Sequence, residues 1–178
     1  MDKAITRKAS RYARMLWDEW VLQPVDAKYN IGFVYALQGD LDTGRLERAL
    51  CTCVRQCPVL RSRFREVDGT LYQDILGDIP NPVEHHDCRT QDPRQVDRLI
   101  RAICTHGFDL TTAPLFRFAL VRAPGGGCFL LLRFHHIIID GTSARKVPQT
   151  IARLYNAGDP GEAPPVPDDP ELARYLER

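Results

Sequence analysis

Apolar residues recur every three or four positions between residues 41 and 58. This spacing predicts an amphipathic helix with one apolar stripe facing a core. Asp42 or Thr43 can act as the N-cap of this helix, and Pro58 ends it. The stripe consists of Leu46, Ala49, Leu50, Cys53, Val54 and Cys57.

The same period predicts two further helices. One has Asp92 as its N-cap, Pro93 at its first helical position and Gly107 at its end. The other covers residues 146–157 and is followed by Gly158. Their inward positions are Val96, Leu99, Ile100 and Ile103 in the first, and Val147, Ile151, Leu154 and Tyr155 in the second.

Extended segments alternate with these helices. The last two flank a Pro-Gly-Gly-Gly turn, and their long apolar runs predict a hairpin in the middle of a sheet. Because strands and helices are interspersed, the fold class is α/β, with a mixed sheet packed against helices. The predicted strands are 30–39, 59–67, 70–76, 115–123 and 128–139.

The composition fits one globular domain. The chain has 178 residues, of which 44% are hydrophobic, and a net charge of +1 from 24 basic and 23 acidic side chains. Without a polybasic stripe, nucleic acid is not an expected partner. No apolar run is long enough for a secretory signal or a membrane span, so we expect a cytoplasmic protein with no membrane partner.

Six cysteines are present, and in the reducing cytoplasm we expect them to be reduced thiols. The spacing of Cys51, Cys53 and Cys57 is not that of a zinc knuckle, so we expect no metal site.

The composition changes near the C-terminus. We assign residues 1–158 to one compact lobe and 159–170, which contain five prolines, to a stiff linker. Residues 171–178 have the composition of the start of another helix.

The residues that suggest chemistry lie at the end of the last predicted strand, in the run Phe134-His135-His136-Ile-Ile-Ile-Asp140-Gly141. Adjacent side chains on a strand point to opposite faces, so the two histidines have different roles unless the strand ends there. Histidine exchanges protons near neutral pH, and a carboxylate four residues later could orient an imidazole, cap a helix or pair with an arginine.

His135, His136, Asp140 and Gly141 match the HHxxxDG motif of nonribosomal peptide synthetase condensation domains, which the chain resembles. These domains belong to the chloramphenicol acetyltransferase-like superfamily. Three further stretches resemble the family in the same order along the chain: "YNIGFVYALQGDLD", "VLRSRF" and "FDLTTAPLFRFALVR".

Some positions depart from the family pattern. The first family motif keeps only Ser10, Leu16 and Trp17, and Ala13 and Met15 occupy its polar positions. Pro148 falls where the family has a continuous helix, so we expect that helix to start late or to kink.

The resemblance implies a two-layer sandwich that forms only the N-terminal one of two lobes, with residues 171–178 crossing towards the second. The implied reaction joins a donor acyl or peptidyl thioester to the amine of an acceptor aminoacyl thioester, as in antibiotic or siderophore biosynthesis. The partners would be donor and acceptor peptidyl carrier domains and the C-terminal lobe. The substrates would be attached to phosphopantetheine as thioesters, and no cofactor would be bound directly. The isolated lobe would be inactive.

The resemblance also implies roles for single residues. His136 is the family's catalytic position, and we assign His135 the role of holding the turn. Asp140 is expected to pair with Arg61, with Arg63 as the reserve partner, because a carboxylate in an apolar run needs a partner. The backbone amides near Gly141 are candidates for stabilising an oxyanion.

Three other functions share the motif. An epimerization domain would have a tryptophan soon after the glycine, where this chain has Ala144. A related acyltransferase would use an alcohol as acceptor. A condensation-like module that only recruits partner enzymes would be expected to lose part of the motif, which is intact here.

Overall fold

The structure is a computed structural model that describes residues 5–24, 26–80 and 82–157. In it, strands and helices are interspersed along the chain, as the sequence pattern predicts. The helices are α1 (Arg11–Leu22), α2 (Thr43–Gln56), α3 (Pro93–Thr105) and α4 (Gly141–Asn156). The strands are β1 (Ile5–Lys8), β2 (Asn30–Leu37), β3 (Ser62–Val67), β4 (Thr70–Ile75), β5 (Val83–Asp87), β6 (Phe116–Arg122) and β7 (Cys128–His135).

The larger sheet has four strands in the order β2-β7-β6-β5. β7 is antiparallel to both β2 and β6, whereas β5 is parallel to β6, so the sheet is mixed. The predicted hairpin of β6 and β7 is confirmed, and it occupies the two central positions. This placement explains why both strands are nearly all apolar, since each has neighbours on both sides and cover on both faces.

Helices cover both faces of this sheet. Alternate residues of the hairpin, such as Phe118 and Leu132, join a core with α2 and α4, whereas Ala119 and Leu131 join a second core with α3. The predicted apolar stripes of α2 and α4 face the first core, and Val96 and Ile103 of α3 face the second.

The smaller sheet has three strands in the order β1-β4-β3. Its hairpin turns at Asp68 and Gly69, both of which have positive φ, as the Asp-Gly pair predicts. Phe64 and Leu71 connect this sheet to the first core. β1 leads directly into α1, so the small sheet positions the start of that helix.

The sequence pattern did not lead us to predict helix α1 or strands β1 and β5. The pattern for α1 was available, because Ala13, Leu16, Trp17 and Trp20 recur at helical spacing and Ser10 accepts a hydrogen bond from the Ala13 amide. β1 and β5 are edge strands with mostly polar residues, which carry no clear period.

Three predicted boundaries were wrong by three residues or more. β3 begins at Ser62 instead of residue 59, because Pro58–Arg61 form a 3-10 helix. α4 begins at Gly141, five residues before the predicted start, and Pro148 lies inside it rather than delaying it. β7 ends at His135 instead of continuing to residue 139, and residues 136–138 form a turn. The predicted linker and final helix, residues 159–178, lie outside the described residues.

Candidate functional site

The two histidines lie where the central strand ends. β7 pairs with β2 up to His135, which is opposite Asn30, and the chain then turns into α4. His136 is therefore not constrained by the strand alternation that would have sent it to the face opposite His135. The two side chains have different surroundings.

His135 is buried, with 2% of its surface exposed. Its Nδ1 accepts a hydrogen bond from the Ile137 amide at 3.1 Å, and this bond links the ring to the turn that follows β7. The rings of Tyr29 and Phe108 contact it edge to face, with centroids 6.3 and 6.2 Å away. These contacts hold the turn that carries His136.

The charge state of His135 follows from its surroundings. Burial lowers its pKa from 6.5 to about 4, and electrostatic repulsion from His136 and Arg133 acts in the same direction. Arg133 is itself buried on the same strand, where its guanidinium lies 4.4 Å from the Phe108 ring and donates to the Ile103 carbonyl. His135 is therefore neutral at pH 7 and suited to a structural role.

This pKa predicts a loss of stability in acid. In the unfolded chain His135 has an ordinary pKa near 6.5, so protons bind the unfolded state first as the pH falls. The contribution of neutral His135 is fully present above pH 6.5 and is lost towards pH 4, a change of about 3 kcal/mol. We expect urea unfolding of the wild type to show this loss relative to His135→Asn, whose side-chain oxygen can accept the same Ile137 amide.

Other titrating groups are common to the two proteins, so the difference between their unfolding free energies isolates residue 135. Parallel curves of stability against pH for both proteins would contradict the assignment.

His136 is half-buried and is held at two points. Its backbone amide donates to the Tyr29 carbonyl at 2.7 Å. Its ring Nδ1 lies 3.1 Å from the Tyr12 hydroxyl of α1, and the two rings meet edge to face with centroids 5.8 Å apart. Sequence reasoning missed Tyr12, which is 124 residues away in the chain.

Asp140 caps α4. Its carboxylate accepts a hydrogen bond from the Ser143 amide at 2.7 Å, one of the three roles that its position suggested. The predicted pair with Arg61 is wrong: the structure records no ion pair between them in the part of the chain that it describes. Arg61 donates instead to the carbonyls of Val54, Arg55 and Leu76, so it ties the end of α2 to the small sheet.

The reserve partner, Arg63, lies 3.6 Å from Asp74 on the neighbouring strand. Both arginines of the "VLRSRF" stretch are thus engaged away from Asp140. The physical reason is that a helix N-terminus already satisfies the Asp140 carboxylate with a backbone donor, so it needs no buried cation.

Gly141 is the first residue of α4, and it does not have positive φ. The turn therefore does not require glycine for its backbone conformation. A Cβ built at Gly141 would meet nothing within 4 Å, so open space lies beside the first amides of the helix. A side chain here would partly fill that space.

A cavity of about 250 Å³ lies beside His135, between the end of α1 and the start of β2. Trp20 and Tyr29 form apolar parts of its wall, and the ion pair of Glu19 and Lys28 lines it as well. His136 does not line this cavity.

Among the residues that the structure describes, the remaining titratable clusters give no second site. His85 and His86 lie on β5, where their rings contact Glu47 and Glu84 at 3.4 and 3.3 Å. The six cysteines are unpaired thiols. Within residues 5–24, 26–80 and 82–157, no group of three His, Cys, Asp or Glu side chains could hold a metal ion, and no helix is long and apolar enough to span a membrane.

The model of the family described as Condensation domain matches residues 16–178. Among curated proteins, the dimodular nonribosomal peptide synthase of Bacillus subtilis (strain 168) is 34% identical over 151 residues, covering 85% of this chain. Tyrocidine synthase 3 of Brevibacillus parabrevis is 32% identical over 142 residues, covering 77%.

The fold of this chain is similar to those of solved condensation-domain structures. The starter condensation domain of rhizomide synthetase RzmA superposes with a TM-score of 0.82 and 27% identity over 97% of this chain. A mutant of that domain in complex with C8-CoA and Leu-SNAC gives a TM-score of 0.81 and 26% identity over the same share. The chain spans 43% and 41% of those two solved chains, and 6% and 2% of the two curated relatives.

Proposed function

Because the chain belongs to the condensation-domain family of nonribosomal peptide synthetases, we propose that it is the N-terminal lobe of such a domain and carries its catalytic histidine, His136. The reaction forms an amide bond between a carrier-bound donor thioester and the amine of a carrier-bound acceptor. The observation that carries this proposal is the position of His136, half-buried at the end of the central strand β7 and oriented by a hydrogen bond between its Nδ1 and the Tyr12 hydroxyl.

The first step needs little help from a base. An α-amino group with a pKa of about 8 is roughly one-tenth neutral at pH 7, which corresponds to only ~1.4 kcal/mol. The neutral amine attacks the donor carbonyl, and its nitrogen must then lose a second proton. His136 accepts that proton and positions the amine beforehand.

The carbon–sulfur bond breaks as the tetrahedral intermediate collapses. The phosphopantetheine sulfur leaves as a thiolate and takes up one proton, so the products are an amide on the acceptor carrier and a free thiol on the donor carrier. The proton held by His136 balances the one taken by the leaving thiolate.

The oxyanion of the intermediate also needs a donor. The first amides of a helix have no acceptor within the helix, and they carry the positive end of its dipole. Asp140 occupies the Ser143 amide, which leaves the amides of Gly141 and Thr142 for a substrate oxygen. The open space at Gly141 is consistent with the approach of a carbonyl group.

The partners follow from the reaction. The substrates arrive on donor and acceptor carrier domains, and a C-terminal lobe closes the site from the other side. The RzmA domain that binds C8-CoA and Leu-SNAC supports a site in this fold for an acyl thioester and an aminoacyl thioester together.

The nature of the acceptor distinguishes amide formation from ester formation. In a two-lobed domain that carries this chain as its N-terminal lobe, we expect transfer to an aminoacyl carrier and at least about 100-fold slower transfer to the matched hydroxyacyl carrier, because alcohols are much weaker nucleophiles at pH 7. The two products are compared by mass spectrometry under identical loading. Faster transfer to the hydroxyacyl carrier would favour the alcohol acyltransferase.

A further inference from the structure

We propose that Tyr12 is the positioning residue of His136. Its phenol oxygen accepts a hydrogen bond from Nδ1–H and so holds the imidazole in the tautomer whose Nε2 lone pair takes the proton of the acceptor amine. This inference rests on the proposed function, because it assigns a partner to the histidine that is proposed to accept that proton.

The geometry fits a fixed contact. The Tyr12 oxygen lies 3.1 Å from Nδ1, within the range of a hydrogen bond, and the ring edges pack against each other at a centroid distance of 5.8 Å. The interplanar angle of 64° keeps the two rings in an edge contact rather than a stack. The imidazole therefore has one packing contact and one polar contact from the same side chain.

The backbone on both sides of this contact is held in place. Tyr12 lies in the first turn of α1, where Ser10 caps the helix and the Ala9 amide donates to the Leu71 carbonyl of the small sheet at 2.9 Å. On the other side, the His136 amide donates to the Tyr29 carbonyl. A hydrogen bond between two fixed points orients a catalytic group before the substrate arrives.

The proposed role of His136 as a base determines the direction of this hydrogen bond. In a neutral imidazole one nitrogen carries a proton and the other has a free lone pair. If the Tyr12 hydroxyl donated to Nδ1, Nε2 would carry the proton and could not accept another. With the Tyr12 oxygen as acceptor, Nε2 is the basic nitrogen.

The same bond also stabilises the charged state. When Nε2 takes the amine proton, the ring becomes an imidazolium and the bond from Nδ1–H to the Tyr12 oxygen becomes charge-assisted, which strengthens it. In many enzymes a carboxylate orients the histidine. No carboxylate is hydrogen-bonded to His136 among the residues that the structure describes, and the neutral phenol takes that place.

The tautomer can be measured without any catalytic activity. The 178-residue chain is labelled with ¹⁵N-histidine, and two-bond nitrogen–proton correlations report which ring nitrogen of His136 is protonated. We expect Nδ1–H in the wild type, and a mixture of both tautomers in Tyr12→Phe, which keeps the ring but removes the oxygen. A wild-type Nε2–H signal, or a spectrum that Tyr12→Phe leaves unchanged, would overturn the proposal.

The second readout is the rate of amide formation in the two-lobed domain. We expect Tyr12→Phe to lower kcat about 10-fold, with the acceptor KM changed by less than about two-fold, because one orienting hydrogen bond is lost. Tyr72→Phe is the matched control, since Tyr72 contacts Arg65 on the small sheet, and it should keep the wild-type rate. Equal rates for the wild type and Tyr12→Phe would overturn the positioning role.

The two failures are distinguishable. If the tautomer shifts as expected but His136→Ala remains fully active, the proposed function fails while the contact between Tyr12 and His136 stands. If His136→Ala is inactive and Tyr12→Phe changes neither readout, only the positioning role fails.

Discussion

Replacement of His136 by alanine is expected to lower the rate of amide formation by at least about 100-fold in a two-lobed domain, because the amine loses the group that takes its second proton and positions it. The fold should persist. His136 is half-buried, and the turn that carries it is held by the buried ring of His135 and by backbone hydrogen bonds. The rate is measured with loaded carriers, and the fold by circular dichroism and thermal melting.

His85→Ala is the matched control for this experiment. His85 lies on the edge strand β5 and contacts only the Glu47 side chain among the described ion pairs, so its loss should leave the rate unchanged. Wild-type activity of His136→Ala would remove His136 from the mechanism. If the melting temperature of His136→Ala fell below the assay temperature, the lost rate would reflect unfolding, and His136 would have a folding role instead.

The purified 178-residue chain is expected to fold but to form no amide. Folding is expected because helices cover both faces of the four-stranded sheet and the described residues form two hydrophobic cores. Catalysis is not expected, because the solved domains that it resembles are more than twice as long, and water would reach half-buried His136 if the rest of such a domain did not cover it. Fixed dipoles lose much of their effect on a developing charge when water reaches it.

Addition of a C-terminal condensation lobe in trans should restore transfer. The readout is the fraction of acceptor carrier that gains the donor acyl group, with and without that lobe. Turnover by the lone chain equal to that of a two-lobed domain would show that the site does not need a second lobe.

The sequence predicted the parts of this fold that have a strong period. The stripes of α2 and α3 and the apolar hairpin of β6 and β7 all lie where the pattern placed them, because burial selects apolar residues at regular positions. The edge strands β1 and β5 are half exposed and have no such pattern. The short turns at residues 136–138 and the true start of α4 depend on hydrogen bonds that periodicity does not report.

The candidate site was predicted in part. The motif identified His135, His136, Asp140 and Gly141, because these residues are close together in sequence. The partner of Asp140 was assigned wrongly, since a local helix cap competes successfully with a distant arginine. The contact between Tyr12 and His136 could not be read from the sequence, because it depends on how the small sheet places α1 beside the end of β7.

The most direct test of the proposed function is the intact mass of the acceptor carrier after a single turnover. A donor carrier loaded with an acyl group and an acceptor carrier loaded with an amino acid are mixed with the two-lobed domain, as wild type and as His136→Ala. We expect the wild type to add the mass of the acyl group to the acceptor carrier, and His136→Ala to leave the acceptor mass unchanged. Because the acceptor amino acid is itself bound as a thioester, mild thioester cleavage should then release the acyl group and the amino acid from the carrier as one amide-linked molecule. Hydrolysed donor with an unmodified acceptor in the wild-type reaction, or equal transfer by both proteins, would contradict amide formation at His136.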